Sequence, residues 1–116
     1  MSITLYGIPN CDTVKKAKKW LEANAIEYRF HDFRKDGLST DDLNTWCDAL
    51  GWENVLNKRS TSWRGLSDEQ KSDLDQSKAV ALMAELPTLV RRPVLSQKDQ
   101  YKVGFKDADY QSFFQL

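Results

Sequence analysis

The run Leu5-Tyr6-Gly7-Ile8-Pro9-Asn10-Cys11-Asp12 constrains this chain more than any other stretch. Ser2 to Tyr6 alternates polar with apolar residues and is β-branched or aromatic in character, the pattern of a strand. Gly7 and Pro9 stop it. From Asp12 onward Val14, Ala17 and Leu21 recur at helical spacing, with Lys15, Lys16, Lys18 and Lys19 mostly on the other side. A strand that turns sharply into an amphipathic helix begins a β-α-β unit, and it leaves Cys11 at the mouth of the helix.

The first turn of a helix has unpaired backbone N–H groups and the positive end of the macrodipole, and both favour an anion. The thiolate, not the thiol, attacks sulfur, and helix N-termini with nearby cations are the settings that favour it. Cys11 is therefore the candidate nucleophile. The alternative is that it is a small buried hydrophobe, as unpaired cysteines often are.

Ile26 to Phe33 alternates Ile26, Tyr28, Phe30 and Asp32 against Glu27, Arg29 and His31, which predicts a second strand and completes a right-handed, parallel β-α-β unit. His31, the only histidine, falls on the more polar face and reads as a hydrogen-bonded surface side chain rather than a base. Next comes a helical block. Ser39 begins a helix with an acidic residue three positions on, and Leu43, Trp46, Cys47 and Leu50 form its apolar stripe. Cys47 thus reads as structural, the other possibility being a resolving thiol for Cys11. Gly51 stops that helix, Ser67 to Gln70 repeats the capping pattern, and Ala79, Leu82, Met83 and Leu86 mark another helix that Pro87 ends. Beyond Pro93 a strand is expected, then a polar hairpin over Ser96 to Gln100, a last strand from Tyr101 to Phe105, and a final helix capped by Asp107.

A chain of 116 residues with 41% hydrophobic content suffices for a single domain. Its 17 basic and 17 acidic side chains balance, so no long-range field would draw it to nucleic acid or an anionic membrane, and neither is expected as a partner. With no signal-like or membrane-length apolar run, a cytoplasmic location is expected. Two cysteines and one histidine provide no disulfide framework and no metal motif.

The order β-α-β, helical block, β-β-α is that of an α/β thioredoxin or glutaredoxin-like fold with an all-helical insertion between its halves, residues 1–34 and 88–116 forming the core and 35–87 the insertion. Within it, Tyr6-Gly7-Ile8-Pro9-Asn10-Cys11, Leu56-Asn57-Lys58-Arg59-Ser60, Arg92-Pro93 and Val103-Gly104-Phe105-Lys106 resemble the arsenate reductase (ArsC) and Spx superfamily, and among its groups the YffB type. The resemblance implies a nucleophile at Cys11, an anion-binding cation at Arg92 beside a cis-Pro93, and a second cation at Arg59. Arginine suits that task because its planar fork of donors matches carboxylates and oxyanions and stays charged.

Two departures matter. Arsenate reductases of this family have a third arginine on the last strand, where this chain has Phe105, and Spx-type regulators have a Cys-x-x-Cys switch, where it has Cys11-Asp12-Thr13-Val14. The resemblance then implies a glutathione-dependent monothiol reductase, a monomer with no tightly bound cofactor, with glutathione as co-substrate and glutaredoxin as a further partner. The alternatives are an arsenate reductase coupled to glutathione and glutaredoxin, and an Spx-like module that binds RNA polymerase without turning over a substrate.

Overall fold

The computed structural model describes residues 3–116. The strand expected over Ser2 to Tyr6 appears as β1 (Ile3–Gly7), Ser2 itself lying outside the described residues. The chain forms two compact units, Met1–Gly37 with Arg92–Leu116, and Leu38–Arg91.

The first unit is an α/β sandwich of the thioredoxin-like kind. Its helix α1 (Asp12–Ala23) leads from β1 to β2 (Arg29–Asp32), and the second half supplies β3 (Val94–Gln97), β4 (Gln100–Val103) and α7 (Asp107–Phe114). The sheet runs β2-β1-β3-β4, with β1 parallel to β2 and the other pairs antiparallel. The parallel pair and the antiparallel hairpin are those expected from the sequence. Ala17, Trp20 and Leu21 of α1, Leu5 of β1, Leu95 of β3 and Tyr110 of α7 form its core, with Phe30, Phe105, Phe113 and Phe114 packed around them.

Four boundaries differ from expectation. The second strand begins at Arg29 rather than Ile26, because Ala25 takes a positive φ of 57° and the Ile26 amide is still bonded to the Leu21 carbonyl as the helix ends. The polar residues Ser96 and Gln97 belong to β3, paired with Tyr101 and Gln100, so the hairpin turn contracts to Lys98 and Asp99. The last strand stops at Val103, since Gly104 adopts φ 75° and its amide turns back to the Pro93 carbonyl at 2.9 Å. Asp107 is the first residue of α7 rather than its cap, which is Lys106.

The second unit is helical throughout apart from one isolated bridge, Leu56 to Val90. Its longer helices are α2 (Thr40–Leu50) and α6 (Gln76–Glu85), which pack together, with α2 also against the short α3 (Trp52–Val55). Two further turns, α4 (Thr61–Arg64) and α5 (Asp68–Lys71), lie between. The expected start signals operate: Ser39 accepts from the Asp42 amide, and Ser67 and Gln70 form a reciprocal capping box. Gly51 ends α2 at φ 89°, a conformation that an L side chain rarely adopts. Pro87 follows α6 and opens a single 3-10 turn to Leu89.

Candidate active site

Cys11 occupies the N-cap of α1, with an extended backbone (φ −135°, ψ 123°), and its carbonyl accepts the Lys15 amide at 3.0 Å to start the helix. A cap residue ordinarily turns a side-chain oxygen onto the first-turn amides. The Cys11 sulfur makes no such bond, so the helix has no side-chain cap and its thiol is half-exposed and unpaired. The positive end of α1 therefore faces the sulfur without a competing oxygen.

How the helix head reaches the strand end depends on Gly7. A Cβ there would fall 2.8 Å from Val14 Cγ2, in the first turns of α1, so only a residue without one lets β1 and α1 approach this closely. Val14 and Gly7 are both buried at this junction. The strand-to-helix turn is fixed by packing rather than by hydrogen bonds to the thiol.

Arg92 and Pro93 join the same end of the sheet. Tyr6 of β1 pairs with Val94 of β3, so the next step of that register brings Pro93 beside Gly7, just before the Cys11 loop. The Arg92–Pro93 peptide bond is cis. Arg92 is half-buried, and its Nη1 is fully buried with no hydrogen-bond partner. A guanidinium N–H out of water and unpaired is costly, about 1 to 3 kcal/mol or more for a charged group, which makes this atom a candidate donor to an anionic ligand. It is the most informative polar atom in the first unit.

The remaining residues singled out by sequence divide clearly. Arg59 is exposed, in a turn of the second unit where Asn57 Oδ1 accepts its backbone amide at 3.0 Å, whereas Cys11, Arg92 and Pro93 belong to the first. Phe105 packs edge-on against Tyr110, ring centroids 4.7 Å apart, so the position where a third arginine was considered serves the core. His31 is structural, its Nε2 2.7 Å from the Gly37 carbonyl and its ring 4.9 Å from that of Tyr6. Cys47 is a free thiol, 2% exposed, on the buried face of α2, and burial with the Asp48 carboxylate pushes its pKa up to about 11. No group of histidines, cysteines and carboxylates among the described residues could hold a metal, and no helix there is long and apolar enough to cross a membrane.

Residues 6–113 match the model of the ArsC family. The chain belongs to the ArsC family. A Haemophilus influenzae relative of uncharacterised function is 46% identical over 97% of this chain and 98% of its own length. The solved structure of a YffB protein is 42% identical and superposes with a TM-score of 0.93 over 96% of this ArsC-family chain and 97% of its own. The global transcriptional regulator Spx of Streptococcus pyogenes is 27% identical over 96% of this chain and 84% of its own. The resemblance to the ArsC and Spx superfamily, and to YffB, is thus shown across nearly the whole chain. The junction of β1 and α1 was legible in the sequence, but the orphan nitrogen of Arg92 was not; no residue pattern reports whether a cation has found an acceptor.

Proposed function

We propose that this ArsC-family protein is a monothiol reductase acting on mixed disulfides of glutathione. The Cys11 thiolate attacks the glutathione sulfur of a mixed disulfide; the S–S bond breaks, the protein becomes S-glutathionylated at Cys11, and the departing thiolate takes a proton. A second glutathione thiolate then attacks the Cys11 adduct, releasing oxidised glutathione and the Cys11 thiolate. Glutathione is thus the two-electron reductant. Arg92 would hold a glutathione carboxylate, and the observation that carries the reading is its buried, partnerless Nη1 at the end of the sheet that also presents Cys11.

Arsenate reduction is less well supported. Its oxyanion would call for a further cation where Phe105 is committed to the aromatic core. A non-enzymatic reading has a specific observation behind it, the Spx transcriptional regulators that align with nearly the whole chain. Kinship with regulators of transcription does not fit the expectation, drawn from balanced charge, that nucleic acid plays no part in this protein's associations. Cys11→Ser separates the readings: it abolishes reductase turnover but would leave a purely regulatory contact intact.

The direct test is mass spectrometry of the protein after incubation with oxidised glutathione. One glutathione on the peptide containing Cys11, reversed by reduced glutathione and absent from Cys11→Ser, is expected. Adduct on Cys47 alone, or none on the wild type, overturns the proposal.

A further inference from the structure

The second unit carries a surface that the thiol chemistry does not use. Of the four tryptophans, Trp20 and Trp46 are buried, whereas Trp52 and Trp63 are only half-buried and belong to this unit. Lys58 bridges them, its Nζ 5.9 Å from the Trp52 ring centroid and 5.7 Å from that of Trp63, and Lys71 Nζ lies 5.4 Å from the Trp63 ring. Arg59 and Arg64 flank Lys58 and Trp63 in the chain and are exposed. Between Glu53 and Asp68 the sequence has no acidic residue. Among the described residues none of these four cations has a carboxylate within 4 Å, whereas Lys102 of the other unit lies 3.9 Å from Asp109.

Lysines resting over half-buried tryptophan rings at more than 5 Å gain only a weak attraction, so the cluster is held in place but loosely. Tryptophan and arginine are also the residues that dominate the energetics of protein interfaces. Elsewhere the unit is acidic, with Asp41, Asp42, Asp48, Asp75 and Glu85 set against Lys78 and Arg91, and Glu53, Asp68, Glu69 and Asp73 adjoin the cluster in the chain. A long polyanion would run off the patch onto repelling ground. A compact acidic feature would not.

We infer that the Trp52–Lys58–Trp63–Lys71 cluster is a docking surface for a protein segment that presents carboxylates around an apolar anchor. The carboxylates pair with the four free cations, while the anchor takes the place of the lysine heads on the tryptophan faces. The inference is independent of the Cys11 chemistry.

The test uses the whole protein and a fluorescein-labelled twelve-residue peptide of alternating Asp and Glu with a central Phe-Leu pair, followed by anisotropy and by quenching of the two half-exposed tryptophans. Saturable binding is expected, weakened by raising salt from about 0.05 to about 0.5 M. The double variant Lys58→Ala/Lys71→Ala should lose affinity at least about tenfold while keeping its far-ultraviolet circular dichroism. Absence of saturable peptide binding, unchanged affinity in the double variant, or tighter binding of a twelve-residue oligouridine than of the peptide would each overturn the inference, the last in favour of a nucleic-acid surface.

Discussion

Cys11 and Cys47 carry the same thiol, yet one stands half-exposed at the head of α1 with no cap bond, and the other is walled in on the apolar stripe of α2 beside Trp46. In the first place peptide dipoles converge on the sulfur; in the second, burial and the Asp48 carboxylate oppose charge. On the proposed reading, the position of a cysteine along a helix decides whether its thiol reacts.

The contrast is sharpest in alkylation. A thiol pushed two units above its ordinary value of 9.0 has about a hundredfold less thiolate at pH 8, before any barrier to entry is counted. Iodoacetamide at that pH should modify Cys11 more than about a hundred times faster than Cys47 in the native protein, and the two at similar rates in denaturant. Equal native rates, read by peptide mass spectrometry, would erase the distinction.

Removing the cation that shares the Cys11 end of the sheet comes next in size. Arg92→Ala should slow glutathionylation of Cys11 by about 10- to 100-fold, the worth of a charge-assisted hydrogen bond of about 1.5 to 3 kcal/mol, and leave Cys47 as unreactive as before. Arg92→Lys keeps the charge but loses the planar fork, so it should recover only part of the rate. Wild-type kinetics in Arg92→Ala would remove the guanidinium from the proposed site.

How far sequence could anticipate this depends on whether a property is local. The turn at Gly7 and Pro9, the serine caps at Ser39 and Ser67 and the stop at Gly51 are written in short-range chemistry, and the structure has each of them. The hairpin boundary was set by pairing instead: Ser96 and Gln97 are polar enough to read as loop, but pairing with Tyr101 and Gln100 draws them into β3. Phe105 was legible as a departure from the family pattern, whereas its role against Tyr110 depends on a helix that follows it. The site divides the same way, with Cys11 announced by its neighbours and the unpaired Nη1 of Arg92 visible only once the chain is folded.

Cys47 also gives stability a pH dependence. Its folded-state pKa is raised to about 11, so the unfolded thiol ionises first as pH climbs. Between pH 9 and 11 the unfolded chain binds fewer protons, and stability falls as pH rises. The contribution is fully present below pH 9, and its loss amounts to about 2 to 3 kcal/mol by the time pH passes 11. Urea titrations should show the midpoint dropping across that window in the wild type and dropping less in Cys47→Ala. An identical decline in both would assign the alkaline loss to other groups.

The smallest expected effect lies in the thioredoxin-like core. Tyr110 is fully buried among Trp20, Phe105 and Phe114, with ring centroids 5.4, 4.7 and 6.4 Å away, and its hydroxyl has no hydrogen-bond partner. Burial also drives its pKa far up, so the phenol stays neutral throughout the range in which Cys47 titrates. An unpaired buried hydroxyl costs stability that the aromatic contacts must offset, and Tyr110→Phe keeps those contacts while deleting the orphan oxygen. The variant should be more stable by about 1 kcal/mol, a rise of about 4 °C in Tm, with glutathionylation of Cys11 unchanged. Destabilisation instead would mean that the hydroxyl is bonded within the core, and this unit would then hold a polar interior contact in place of the purely aromatic packing that supports the Cys11 helix.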